Sequence, residues 1–76
     1  MPGAYVTIVT GTGTAPSVVE RLRSMDHVGE AHVVAGDYDV IAELEGEDPT
    51  QLLPVVTREI GAIEGVGHTR TYVVLD

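Results

Sequence analysis

The residues of this chain best suited to chemistry gather at two places. Gly36-Asp37-Tyr38-Asp39 sets two carboxylates and a phenol on consecutive positions after a glycine. Thr69 and Thr71, spaced by two, put two hydroxyls on one face of any strand that holds them. A tight reversal needs a residue such as Gly36, which takes positive φ without steric cost. It does not need Asp-Tyr-Asp. A carboxylate at such a tip suits an ammonium group, and backbone N–H groups of a turn suit a carboxylate. Those are the two ends of an α-amino acid. The plainer alternatives are a solvated hairpin tip and threonines chosen for β propensity. Asp39 is expected to face water and to contribute little to folding, since exposed ion pairs give only ~0–1 kcal/mol. The threonines join the site only if their face meets the turn, within one subunit or across an interface.

The remaining candidates are weaker. Gly11-Thr12-Gly13-Thr14 stands between a strand and a helix, where backbone N–H groups suit an anion. It lacks the lysine and spacing of a Walker motif and the third glycine of a dinucleotide fingerprint, so it reads as a connecting loop. His27, His32 and His68 show no i, i+4 pair, and with no cysteine the chain offers no metal-ligand pattern. His32 falls in an expected strand and His68 borders one, so the two could meet in space. Ser17 and Ser24 have no nucleophile-elbow context. No cofactor is implied.

Positioning these groups falls to six elements. Ala4 to Thr10 is rich in β-branched residues and reads as a strand. Pro16 suits the first turn of a helix capped by Thr14 or Ala15, with Val18, Val19, Leu22 and Met25 at helical spacing and an end near Asp26. Val28 to Ala35 and Asp39 to Glu45 read as two strands joined by the Gly36 turn, with Glu43 and Glu45 on a wet face. Gly46-Glu47-Asp48 turns into a second helix, with Asp48 as cap, Pro49 at the first position and Gln51 completing a capping box. Leu52, Leu53, Val56, Ile60 and Ile63 would form its buried face, with Pro54 kinking or restarting it. Gly65-Val66-Gly67 breaks the chain before a last strand, Thr69 to Leu75. The order β-α-β-β-α-β predicts an α+β, ferredoxin-like fold: a four-stranded antiparallel sheet with both helices on one face.

Composition narrows the functions. The 76 residues fit one domain, residues 1–76, near the lower limit for independent folding. With no Phe or Trp the core is aliphatic, and oligomerisation is the common remedy for so small a core. Twelve acids stand against four arginines and no lysine, a net charge of −8. Such a surface repels phosphate, so direct nucleic-acid binding is not expected. Acid excess without lysine also fits adaptation to high internal salt. No apolar run spans a membrane and no secretory pattern opens the chain, so a cytoplasmic setting is expected.

From Val28 onward the chain resembles the effector-binding, or RAM, domain of the leucine-responsive/AsnC regulators. The matching segments are V28-G-E-A-H-V-V-A-G-D-Y-D-V-I-A-E-L, D48-P-T-Q-L-L and G65-V-G-H-T-R-T-Y-V-V-L. Residues 4 to 26 fit the family's first strand and helix more loosely. The resemblance implies a non-catalytic regulatory domain that dimerises through its sheet and assembles into even-numbered rings. It implies an amino acid or related small effector between subunits, with Gly36, Asp37, Tyr38, Asp39, Thr69 and Thr71 as its contacts. Full-length family regulators become candidate partners. Since the chain starts at the first sheet strand, it is expected to be a stand-alone effector domain without the family's helix-turn-helix. Two alternatives remain: a small cofactor-independent barrel monooxygenase using His32, His68 and Tyr72, and a structural accessory subunit.

Overall fold

Period-two alternation decides the architecture. In β1 (Ala4–Thr10), Ala4, Val6 and Ile8 are fully buried on one face, whereas Tyr5 and Val9 on the other are exposed. The structure, a computed structural model, describes residues 3–46 and 48–76. After β1 come α1 (Ala15–Arg23), β2 (Val28–Val33), β3 (Val40–Leu44), a second helical region α2 in two pieces (Pro49–Leu52 and Val55–Ile60), and β4 (Val66–Val73). The four strands pair antiparallel in the order β2-β3-β1-β4, the expected βαββαβ arrangement. The expected turn at Gly46-Glu47-Asp48 includes Glu47, which lies outside the described residues.

One face of the sheet is the core. Val18, Val19 and Leu22 of α1, with Leu52, Val56 and Ile60 of α2, join Ala4, Val6, Ile8, Ala31, Val40, Ala42 and Leu44 in a single cluster. Ala31 and Ala42 face each other across β2 and β3, and their small side chains let α1 lie close. Arg23, at the end of α1, donates from Nε (3.0 Å) and Nη2 (2.8 Å) to the carbonyl of Ala31 on the edge strand β2. A helix side chain thereby occupies an acceptor that an edge strand would otherwise offer to another chain.

α2 departs from the expectation. Pro54 has no N–H to donate, so a regular α-helix cannot pass through it intact. The first piece is a 3-10 turn and the second a π-type stretch, in which Gly61 N–H reaches back five residues to the Val56 carbonyl at 3.0 Å. Leu52, Val56 and Ile60 still reach the core, but the re-registered backbone leaves Leu53 43% exposed, not buried. No capping box forms. The Asp48 carboxylate accepts from Thr50 N–H (3.0 Å) and Thr50 Oγ1 (2.7 Å), an Asx-type turn, and Gln51 meets Asp48 through backbone only. α1 stops at Arg23, short of Asp26.

β4 also differs from the reading. It begins at Val66, inside the glycine pair expected to break the chain. Gly65 takes φ +99°, and a side chain on Gly67 would approach the Val9 carbonyl at 3.1 Å. The glycines therefore admit the strand against β1, with a bulge between Ile8 and Thr10. The Gly11–Thr14 segment is a connection, as read: Gly11 N–H is taken by the Gly65 carbonyl (2.9 Å) and Thr14 N–H by the Gly11 carbonyl (3.1 Å). Among the described residues no helix is long and apolar enough to cross a membrane.

Candidate functional site

No helix covers the second face of the sheet. Register places Tyr5 opposite Tyr72 and Thr7 opposite Arg70 on this face, with Glu43 beside Tyr5 and Ile41 beside Thr7. Toward the β1–β4 edge the face is concave. Thr7, Val9, His68, Arg70 and Tyr72 line a cavity of about 460 Å³, and Asp37 and Tyr38 of the β2–β3 loop complete it. Thr7 lies at its centre with only 7% exposure, whereas Tyr72 is 52% exposed at the side.

The loop reaches this cavity because it is tied to β1. Val34 N–H bonds the Asp39 carbonyl (2.8 Å), and Asp39 N–H bonds the Ile8 carbonyl (2.9 Å). The Asp39 carboxylate then accepts from Thr10 N–H at 2.8 Å through Oδ2. Asp39 is thus half-buried and holds the loop on the end of β1, not a carboxylate standing in water. Asp39→Ala is expected to cost about 1–3 kcal/mol, the usual range when a charge-assisted bond is lost and its donor stranded. Asp39→Asn, which keeps an acceptor, is expected to cost less than half of that. Urea denaturation of the two variants checks the order.

The expected site residues separate. Asp37 and Tyr38 line the cavity. Gly36 is exposed at the loop tip, with φ 157° at the margin of extended backbone and no atom within 4 Å of where a side chain would start. Thr69 and Thr71 do share a face, but they pair with Ile8 and Val6 and so lie on the helix side of β4, half-buried. Within one protomer they do not meet Asp37 and Tyr38. His32 and His68 cannot meet either, because β2 and β4 are opposite edges of the sheet. The trio of His32, His68 and Tyr72 is therefore not assembled within one protomer. Among the described residues no group of three or more His, Asp or Glu is arranged to hold a metal ion.

Arg70 and Thr7 carried no role in the sequence reading. The signal was present as parity: His68, Arg70 and Tyr72 alternate with Thr69 and Thr71, so whichever face the threonines take, the other face holds a cation and a phenol. Among the described residues no ion pair claims either Arg70 or Asp37; the one such pair joins His32 Nε2 to Glu30 Oε1 at 3.2 Å. Opposite charges thus border one cavity without neutralising each other, which suits a ligand carrying both signs.

A second region of the open face is acidic. Glu30 and Glu43 stand opposite each other on β2 and β3. A hydrogen bond from one carboxyl to the other pushes Glu43 up and, with the bond to His32, holds Glu30 below the ordinary carboxylate range. A larger concavity of about 480 Å³ lies on the helix side, bordered by Thr14, Ser17, Arg21 and Glu59. Three of its polar groups are engaged locally: Thr14 Oγ1 donates to the Gly11 carbonyl (2.7 Å), Ser17 Oγ to the Thr14 carbonyl (2.9 Å) and Arg21 Nη1 to Ser24 Oγ (3.2 Å).

Comparison with known proteins gives the family and the fold. Residues 3–76 match the family model described as the Lrp/AsnC ligand binding domain. The chain is 27% identical over 78 residues to the HTH-type transcriptional regulator LrpA of Pyrococcus abyssi, covering 97% of this chain and 55% of the regulator. It is 36% identical over 59 residues to a homocitrate synthase of Sulfurisphaera tokodaii, covering 78% of this chain but 13% of the enzyme. A hypothetical protein of Pyrococcus horikoshii has the same fold, with a TM-score of 0.88 at 32% identity over 99% of this chain and 90% of that one. The chain spans about half the length of the regulator and a small part of the synthase.

Proposed function

Because this chain belongs to the Lrp/AsnC ligand-binding domain family, we propose that it is a non-catalytic regulatory domain that binds an amino acid or related small effector and acts by assembling with itself. The observation that carries this reading is the cavity on the open sheet face, where Asp37 and Arg70 present unpaired opposite charges beside Thr7, Tyr38 and Tyr72. A free amino acid brings an ammonium group to one and a carboxylate to the other. Gly36 and Asp39 shape the loop that supplies Asp37 and Tyr38. Thr69 and Thr71, on the far side of β4, touch an effector only if a second protomer brings it to them.

Self-association is supported by the same face. Tyr5, Val9 and Tyr72 are exposed there, and Ile41 is half-buried, on a domain too small to cover a second apolar surface. A two-fold axis would let one patch cover its own copy, and pairs of dimers would close an even-numbered ring. An effector bound where protomers meet favours the assembly that forms its pocket, by differential affinity. Full-length family regulators are the proposed further partners, in a cytoplasmic setting, and no direct contact with nucleic acid is proposed at a net charge of −8.

A thermal-shift screen of the twenty amino acids, run beside light scattering, tests the reading. Binding to the native state raises the melting point by mass action. At least one amino acid is expected to do so, on a protein larger than a monomer at micromolar concentration. Silence across the panel removes the effector reading, and a monomer under all conditions removes the assembly reading.

A further inference from the structure

Two carboxylates that face each other across neighbouring strands are an unusual choice, since like charges directly opposite destabilise a sheet. Glu30 and Glu43 do so on the open face, and their neighbours do not neutralise both. His32 pairs with Glu30 at 3.2 Å. On β1, Tyr5 stands opposite Glu43, and Glu45 adds a third acid just past the end of β3. The charged and titratable groups of β4 on this face, His68, Arg70 and Tyr72, lie at the other edge, beside Asp37 of the loop. The helices pack on the opposite face and bring no charge to this corner.

We propose that Glu43, paired across the strands with Glu30, makes self-association through the open sheet face proton-dependent, so that the assembly tightens as pH falls through the titration of Glu43. The inference rests on the proposed association through this face. Covering the corner removes water from two adjacent carboxylates. With both ionised this is costly, because neither charge is offset and each repels the other. With one proton held between them, a carboxyl donates to a carboxylate and the repulsion is gone. The charge left on Glu30 keeps its contact with His32 Nε2 at 3.2 Å.

The sign follows from the directions already given. Glu43 is pushed up by its bond to Glu30, so it takes its proton at higher pH than an ordinary carboxylate. Association gains while that proton is held and weakens as pH rises through the titration of Glu43. Each protomer takes up a proton, so the dissociation constant of the dimer changes with pH as linkage requires.

Sedimentation equilibrium of the full chain at fixed salt, from neutral pH down to the ordinary glutamate value of 4.5, tests the proposal with two variants. Wild type is expected to associate at least about tenfold more tightly at the lower pH, because each dimer takes up as many as two protons. Glu43→Gln supplies a neutral donor to Glu30 at every pH. It is expected to associate at neutral pH about as tightly as wild type does at the low end of the range, with a flattened pH profile. Glu20→Gln removes one negative charge from the exposed side of α1 and is expected to keep the wild-type slope. If Glu43→Gln and Glu20→Gln behave alike, the pH dependence is general charge repulsion and the proposal fails while self-association stands. If wild type is monomeric at every pH and concentration, the proposal fails together with the association on which it rests.

Discussion

Arg70→Gln is expected to weaken effector binding roughly 10- to 100-fold, while leaving the folded protein as stable as wild type. The size follows from what a charged hydrogen bond contributes in a partly dry site, about 1.5–3 kcal/mol, at 1.4 kcal/mol per factor of ten. The absence of a folding cost follows from the surroundings of the side chain. Arg70 is exposed, and among the described residues no ion pair or hydrogen bond uses its guanidinium. A cycle over ligand and protein isolates the role. Wild type should prefer a free amino acid to its carboxamide, because the amide cannot meet the guanidinium as a carboxylate does. Arg70→Gln should lose that preference and bind the two equally weakly. Asp37→Asn should do the same for the free amine against its N-acetyl derivative. Isothermal titration calorimetry reads the four combinations of each cycle. An Arg70→Gln protein that still prefers the carboxylate would falsify the role of the guanidinium.

The second large effect concerns the fold. Ile8→Ala is expected to cost about 2–5 kcal/mol, against about 0.5–1.5 kcal/mol for Ile8→Val. Ile8 is fully buried at the end of the central strand, with Val40 of β3 on one side and Thr69 of β4 on the other. Its carbonyl also accepts the Asp39 N–H that ties the loop to the sheet. A domain of this length has a total stability of roughly 4–11 kcal/mol, so the alanine variant should lose much of it. The cavity should also strain the loop anchor, placing the effector site and the core on one element. Urea denaturation followed by circular dichroism measures the cost, and an alanine variant within about 1 kcal/mol of wild type would show that the core collapses to fill the gap.

The elements were legible because their causes are local. Alternation in β1, the four-residue spacing of Leu52, Val56 and Ile60, and Asp48-Pro49 at the start of α2 are all patterns of neighbours in the chain. Pro54 was legible as an obstacle but not as a π-type stretch, since the way a backbone re-registers depends on which side chains the core must receive. Gly65 and Gly67 read as a break because glycine reports freedom of conformation. Their actual role is set by Thr14 and Val9, which a side chain there would meet.

The site was half legible for a related reason. Parity puts Thr69 with Thr71, and Arg70 with Tyr72, but parity does not say which pair the helices cover. Pairing with Val6 and Ile8 decides it, and that pairing joins strands about sixty residues apart in the sequence. The Asp39 bond to Thr10 spans 29 positions and was invisible for the same reason. Asp37 and Tyr38 needed no long-range knowledge beyond a turn between two strands.

Chemical-shift mapping by NMR of the isotopically labelled chain, titrated with the amino acid that raises its melting point most, tests the central claim most directly. The account predicts saturable shifts centred on the backbone and side-chain signals of Thr7, Asp37, Tyr38, Arg70 and Tyr72, abolished by Arg70→Gln. Shifts centred on the groove bordered by Thr14, Ser17 and Arg21, or no saturable shift with any amino acid, would contradict it.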